Sequence, residues 1–118
     1  MKNFLFVACF LTIGSSLAAD DWPRWHGPEG TGISTEKGWK ANLEKVAWKA
    51  KLGVGFSAVS VADGRLFTMG HDGRKRDGKE TVWCLDAASG KEIWKDSYEA
   101  AIVDYLHEGG PCATPTVD

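Results

Sequence analysis

Short apolar runs alternate with turn-forming residues between residues 56 and 98 of this 118-residue chain, a pattern that is typical of small antiparallel sheets. The pattern predicts four strands, over residues 57–62, 65–70, 80–85 and 91–97. The second and third strands carry apolar side chains at both odd and even positions, as in a sheet that is covered on both faces. The fourth is rich in charge and is therefore predicted to lie at an outer edge. Since no amphipathic helix longer than two turns can be traced, the predicted fold class is all-β.

The residues between these strands favour defined turns. Asp63 and Gly64 are predicted to form a two-residue hairpin turn, because both residues can adopt a positive φ. After the third strand, Asp86 is predicted to accept a hydrogen bond from a backbone N–H of the turn, two residues on. Gly90 is predicted to be left-handed and to close a type I turn with a bulge. The polar connection 71–78 is predicted to be a solvated hairpin tip.

Two local echoes indicate that the pattern repeats. Residues 46–49 (VAWK) resemble residues 92–95 (EIWK), and residues 58–63 (AVSVAD) resemble residues 113–118 (ATPTVD). The order of outer strand followed by inner strand therefore occurs twice, which is a signature of repeat architectures.

Four antiparallel strands over roughly 40 residues have the size of one blade of a β-propeller. We therefore predict a β-propeller of four-stranded antiparallel blades, with one complete blade at 56–98 and the start of a second at 111–118. Residues 45–52 are predicted to be the outer strand of a blade that this chain does not contain. Residues 20–44 form an N-terminal arm, and 45–118 form the partial propeller. A complete small protein is the remaining alternative.

The first 19 residues predict export. A single charge at Lys2 precedes an apolar run that extends to Ile13, and small residues follow up to Ala19, as in a secretory signal peptide. The run is shorter than the roughly 20 apolar residues that span a bilayer. We therefore expect a periplasmic or extracellular protein with no transmembrane segment in the mature chain. Cys9 leaves lipid attachment as an alternative.

Charge and cysteine content narrow the classes of partner. The net charge is −2, and removal of the leader with its one lysine makes the chain more acidic, which argues against nucleic acid. Cys84 and Cys112 remain after that removal. The two could pair in an oxidising compartment, but the position of Cys84 in the middle of a strand favours a buried thiol.

Residues 84–95 (CLDAASGKEIWK) resemble a known repeat. They are similar to the tryptophan-docking repeat of pyrroloquinoline-quinone-like (PQQ-like) β-propellers, whose pattern is Ala-x-Asp-x-x-Thr-Gly-x-x-x-Trp. Cys84 stands in the alanine position and Ser89 in the threonine position, and both are small. The residues that fill the defining positions of the repeat are Asp86, Ser89, Gly90 and Trp94.

The resemblance extends over nearly the whole chain after the leader. Residues 21–28 (DWPRWHGP) are similar to the Trp-Pro-x-Trp-Arg-Gly-Pro opening of secreted members, with His26 in place of the arginine. Residues 110–118 (GPCATPTVD) are similar to the segment with which their second blade begins. In such rings the outer-strand tryptophan packs against the next blade, which can bury about 150–250 Å² of apolar surface.

The resemblance implies a fold more than an activity. The family includes quinone-dependent alcohol dehydrogenases and a lipoprotein that only binds partners during outer-membrane assembly. The sequence contains no recognisable nucleophile–base set, vicinal cysteine pair or calcium-ligating set. We therefore expect a binding or interaction scaffold with no catalytic residue and no cofactor in this segment. Its partners would be a protein or a polysaccharide, together with the remaining blades. The alternative is a PQQ-dependent alcohol dehydrogenase-like oxidoreductase that holds PQQ and Ca²⁺ in the missing blades.

Two residues are candidates for ligand contact. His107 and Glu108 precede the predicted inner strand of the second blade, where loops can face the binding surface of a propeller. His26, His71 and His107 belong to three separate loops without metal-ligand spacing, so no metal site is predicted.

Tryptophans of the N-terminal arm allow two interpretations. Trp22, Trp25 and Trp39 could form a carbohydrate platform, or they could pack the arm onto the sheet. The second interpretation is favoured.

Overall fold

The structure is a computed structural model that describes residues 20–39, 45–103, 105 and 108–118. The predicted signal peptide at 1–19, part of the arm at 40–44, and His107 lie outside the described residues.

Four strands form one antiparallel sheet in the order β1-β2-β3-β4. Their bounds are β1 Ser60–Ala62, β2 Arg65–His71, β3 Lys79–Asp86 and β4 Glu92–Glu99. The part of the chain that the structure describes contains no helix. The all-β class is therefore confirmed, and each predicted strand corresponds to an observed one, with no end displaced by more than three residues.

The turns adopt the conformations that the sequence predicts. Asp63 has φ 50° and Gly64 has φ 70°, so both central residues of the β1–β2 turn are left-handed, as a two-residue hairpin requires. Residues 72–77 of the β2–β3 connection are exposed, which agrees with a solvated tip. Gly90 has φ 70° in the turn after β3.

The core of the sheet is thin. The buried hydrophobic residues of the described chain are Ala62, Cys84 and Leu85. Cys84 and Leu85 are neighbours on β3 and point to opposite faces, so each face of the sheet contributes to burial. Every residue of β4 is exposed, which confirms the prediction of an edge strand within this sheet. The sheet therefore has apolar side chains on both faces and little buried apolar surface.

The N-terminal arm pairs with β1 through its first residues. The backbone N–H of Trp22 donates to the carbonyl of Val61 at 2.8 Å, and the N–H of Val61 donates back to Trp22 at 2.9 Å. The Trp22 ring lies on Gly27, where a Cβ would approach the ring to 2.7 Å. The packing interpretation therefore applies to Trp22. Trp25 and Trp39 are 62% and 71% exposed.

Backbone hydrogen bonds connect segments outside the four strands to the sheet and to one another. Val54 exchanges two backbone hydrogen bonds with His71, at 2.9 and 2.8 Å. The N–H of Phe56 donates to the carbonyl of Pro111, and the N–H of Val117 donates to that of Pro23, both at 2.8 Å. Residues 45–52 and 111–118 contain no assigned strand. Their assignment to the outer and inner strands of other blades stays a prediction.

None of the described residues belongs to a helix with the length and hydropathy needed to cross a membrane.

Candidate functional site

The turn that follows β3 is held by a compact set of hydrogen bonds, and we call residues 86–90 the docking turn. The Asp86 carboxylate accepts hydrogen bonds from the backbone N–H of Ser89, at 2.8 Å, and from the Ser89 hydroxyl. The N–H of Gly90 donates to the carbonyl of Asp86, and the N–H of Asp86 donates to Lys91, both at 2.8 Å. The sequence correctly predicts Asp86 as the acceptor. The backbone N–H of Ser89 lies three residues on, and that of Ala88, two residues on, also interacts with the carboxylate.

These hydrogen bonds also affect ionisation. The Ser89 hydroxyl and backbone N–H stabilise the charged carboxylate, and they lower the pKa of Asp86 below its ordinary value. The register of the strands also contains a bulge, which lies on β4, three residues beyond Gly90. The strand register shifts between Cys84, which pairs with Trp94, and Leu85, which pairs with Glu92, so Ile93 is the extra residue on β4. The bulge predicted at Gly90 itself stays a prediction.

Trp48 lies on the docking turn. Its indole N–H donates to the carbonyl of Ala87 at 3.1 Å, across 39 residues of sequence. Its ring covers Gly90 so closely that a Cβ at that position would lie 2.6 Å from the ring carbon Cδ2. Glycine is therefore required at position 90 for two reasons. The turn needs a positive φ, and the Trp48 ring occupies the space in which a side chain would lie. Trp48 belongs to the segment 45–52, which the sequence assigns to a different blade.

Trp94 on β4 corresponds to Trp48 in the local sequence, but it does not lie on a turn. It pairs with Cys84 across the sheet, and its ring lies 6.1 Å from that of Phe67 at an angle of 53°. Trp94 is nevertheless 42% exposed. Among the described residues, the docking turn is already covered by Trp48. The two tryptophans share a local sequence, Trp-Lys after an apolar residue, and only Trp48 lies on a turn.

Exposed apolar side chains accompany Trp94 along the edge strand. Ile93 is 49% exposed and Tyr98 is 46% exposed. The Tyr98 hydroxyl donates to the Glu80 carboxylate, and this interaction raises the pKa of Tyr98. Lys95 places its ammonium 4.9 Å from the centre of the Trp83 ring on the neighbouring strand. The edge therefore combines apolar surface with charged groups that are already paired within the sheet.

The predicted ligand contacts at His107 and Glu108 have different outcomes. His107 lies outside the described residues, and Glu108 is exposed. Next to it, Gly109 is buried and Gly110 approaches the backbone of Val54, where a Cβ would lie 2.6 Å from the carbonyl oxygen. Ligand contact at these two residues stays a prediction.

His71 has a role that the sequence analysis missed. It lies at the end of β2 rather than in a loop, and it is 1% exposed. The N–H of Gly73 donates to its Nδ1 at 2.9 Å, so the other ring nitrogen, Nε2, carries the proton that is donated to the carbonyl of Ala100, at 2.9 Å. The ring lies beneath Gly78, where a Cβ would come within 2.8 Å of Nε2. His71 thus connects the β2–β3 connection to the chain that follows β4.

An acidic cavity beside the N-terminal arm was also missed, and we call it the arm cavity. It has a volume of about 580 Å³. Apolar and hydroxyl side chains make up part of its wall, and carboxylates make up the rest. The lining residues are Asp20, Asp21, Trp22, Pro28, Glu29, Ile33, Ser34, Thr35, Glu36 and Val61. Across it, the backbone N–H of Asp20 donates to Oε1 of Glu36 at 2.8 Å. Apart from Val61, its lining residues precede the repeat pattern, so no local signal indicates the cavity.

The two cysteines of the described chain, Cys84 and Cys112, are both free thiols. Cys84 is a buried free thiol, as predicted, and burial raises its pKa, while Cys112 is free and exposed. Within the described ranges, no three His, Cys, Asp or Glu side chains converge in a way that could hold a metal ion.

Comparison with known proteins identified no matching family model, no matching curated protein and no matching solved structure.

Proposed function

We propose that this chain is the N-terminal part of an exported PQQ-like β-propeller protein that acts as a binding or interaction scaffold. The observation that carries the proposal is the relation between the two tryptophans. Trp48 lies on the docking turn, whereas the sequence-matched Trp94 is 42% exposed.

The relation implies a repeating assembly. The described chain contributes one docking turn and two tryptophans of the docking type, and Trp48 covers the turn. Trp94 then needs a turn from a following unit, and the segment around Trp48 needs a sheet from a preceding one. Units that bury their surfaces only against neighbours are the basis of repeat proteins. A closed ring of such units is a propeller.

The exposed aromatic residues support a scaffold role. Trp25 stacks on His26 with ring centres 4.9 Å apart and an angle of 29°, and Trp25 is 62% exposed. Large aromatic side chains supply much of the binding energy at protein interfaces, and their faces also stack on sugars. The arm therefore offers a surface of the kind that a protein or polysaccharide partner can bind.

The test is affinity capture with the intact gene product, by which we mean this chain together with the further blades that we propose. We expect it to retain a specific protein or polysaccharide from its compartment. A Trp25→Ala variant should lose that partner, whereas Asp118→Asn should retain it as a matched surface control. Robust dye-linked oxidation of alcohols after addition of PQQ and Ca²⁺ would contradict the scaffold proposal and support the oxidoreductase.

A further inference from the structure

We propose that the chain's own α-amino group, which is created at Asp20 when residues 1–19 are removed, supplies a positive charge to the arm cavity. This inference rests on the export part of the proposed function. It concerns a specific ion pair between the new N terminus and Glu36.

The first observation is a hydrogen bond at the position of predicted cleavage. The backbone nitrogen of Asp20 lies 2.8 Å from Oε1 of Glu36, which is 16 residues away in sequence. Before cleavage this nitrogen belongs to a neutral amide, and after cleavage it is an ammonium group. The bond to the ionised Glu36 carboxylate is already charge-assisted in the precursor, and cleavage adds a direct attraction between opposite charges.

The second observation is the charge of the cavity wall. Four carboxylates line the arm cavity, and no lysine, arginine or histidine is among its lining residues. The carboxylates belong to Asp20, Asp21, Glu29 and Glu36. Like charges that share a site repel each other. An ammonium group at Asp20 supplies the positive charge that these side chains otherwise lack.

The third observation fixes the position of the nitrogen. Immediately after Asp20, the Asp21 carboxylate accepts a hydrogen bond from the N–H of Asp63 at 3.1 Å. Trp22 is held by its two backbone hydrogen bonds to Val61. The α-amino group is thus attached to β1 through two consecutive residues. Since consecutive Cα atoms are about 3.8 Å apart, cleavage one residue earlier or later removes the charge from this position.

Removal of the leader is thereby coupled to attachment of the arm. In the precursor the arm is held at Glu36 by a hydrogen bond from an uncharged amide to the carboxylate. In the processed chain the same contact becomes an ion pair beside the apolar surface of Trp22 and Val61. We therefore expect the arm to bind the sheet edge more tightly after processing.

The experiment measures the charge of the α-amino group directly. The intact gene product is prepared with Asp20 as its first residue, by a protease that leaves no extra residue after a removable fusion. Competitive acylation at a series of pH values then gives the apparent pKa of the α-amino group. We expect a value about one unit above the ordinary range of about 7.7–8.0, which corresponds to roughly fivefold slower acylation at pH 8.

Matched variants separate the ion pair from general effects. Glu36→Gln should return the apparent pKa to the ordinary range, whereas Glu99→Gln, at the exposed end of β4, should leave it raised. Glu36 is exposed, so its substitution is compatible with folding. An ordinary apparent pKa in the wild-type chain, or an unchanged value in Glu36→Gln, would overturn the inference.

A second measurement tests the link to processing. Mass spectrometry of the exported protein should identify Asp20 as the first residue. A different first residue would overturn the proposed coupling in the cell, even if the purified chain that begins at Asp20 forms the ion pair. An ordinary apparent pKa in a protein that does begin at Asp20 would overturn the ion pair and leave export intact.

Discussion

The indole N–H of Trp48 donates a hydrogen bond of 3.1 Å to the carbonyl oxygen of Ala87, and it joins two segments that lie 39 residues apart. The same indole ring covers Gly90. This contact ties the segment before the sheet to the turn between β3 and β4, and it gives the proposed repeat a physical basis that can be tested.

Substitution of Gly90 by alanine should destabilise the protein in two ways. At φ 70°, any L-residue carries a conformational cost of about 1–2 kcal/mol. The new Cβ should also displace the Trp48 ring, with a further loss of about 2 kcal/mol, the scale of burying a large apolar side chain. Thermal or denaturant unfolding of the intact gene product measures the sum.

Gly64→Ala is the matched control for this substitution. Gly64 also has φ 70°, but a Cβ there would have nothing within 4 Å. It should therefore show the conformational cost alone. In a Trp48→Ala background, the two glycine substitutions should cost the same. A Gly90→Ala penalty that stays larger in that background would show that the ring contact is not its cause.

Removal of the Asp86 carboxylate should change stability in a pH-dependent manner. Ser89 lowers the pKa of Asp86 in the folded chain, so the stabilisation is present above the unfolded pKa of about 3.9 and is lost as pH falls through the folded value. The stability difference between wild type and Asp86→Asn should therefore be constant near neutral pH and shrink below about pH 4. Unfolding midpoints measured from pH 7 to pH 2 test this.

Ser89→Ala should weaken the same effect, because it removes the hydroxyl that donates to Asp86. Asp96→Asn, on the exposed edge strand, serves as the control. A difference between wild type and Asp86→Asn that grows as the solution becomes more acidic would be opposite in sign to this expectation.

Trp94→Ala should have different effects in the two lengths of the protein. In the intact gene product, where we propose that Trp94 lies on a following turn, the substitution should cost about 3–5 kcal/mol, as for a buried tryptophan. In the chain 20–118 alone, Trp94 is 42% exposed, and the cost should be much smaller. Denaturant unfolding measures the cost in the intact gene product. For the chain 20–118, which we do not expect to unfold cooperatively, circular dichroism spectra of wild type and variant should be nearly the same.

Trp39→Ala provides the comparison for this experiment, since Trp39 is 71% exposed and should matter little in either length. The chain 20–118 should also unfold without a sharp cooperative transition, because its core is thin. Cooperative melting of this chain as a compact monomer would contradict the proposed repeat architecture.

The two cysteines should differ in reactivity. Cys84 is fully buried, and burial raises the pKa of its thiol, so little reactive thiolate is accessible. Cys112 is exposed. The comparison uses two variants of the chain that begins at Asp20. The Cys112→Ser variant, which keeps Cys84, should react with a thiol reagent at least about 100-fold more slowly than the Cys84→Ser variant, which keeps Cys112. The difference should disappear when denaturant is added. Rapid labelling of native Cys112→Ser, or a disulfide in the wild type, would contradict the observed arrangement.

The sheet could be predicted from sequence because its signals are local. The Asp63-Gly64 turn and the alternation along β2 and β3 depend only on near neighbours. Where the prediction failed, side chains replaced the backbone ladder. The predicted first strand begins at residue 57, but the Ser57 hydroxyl accepts from the N–H of Met69 at 3.2 Å, and regular pairing starts only at Ser60.

The features that sequence reasoning missed depend on contacts between distant segments. No residue near Asp20 in the sequence indicates that Glu36 lies against the Asp20 nitrogen. Trp48 contacts residues 87 and 90, which are separated from it in the sequence by the strands β1, β2 and β3. His71 precedes an Asp-Gly pair, which indicates a turn, and its burial results from the later return of the chain at Ala100.

The close fit of the Trp48 ring to Gly90 has an evolutionary consequence. In the array that we propose, the tryptophan of one unit packs on the glycine of the next, and each residue contributes to that contact only while the other is present. Duplication of a unit copies both residues, so a lengthened array closes its new joint without further change. Related chains should therefore lose the two residues together, and a chain with glycine replaced should tolerate smaller side chains at the position of the tryptophan.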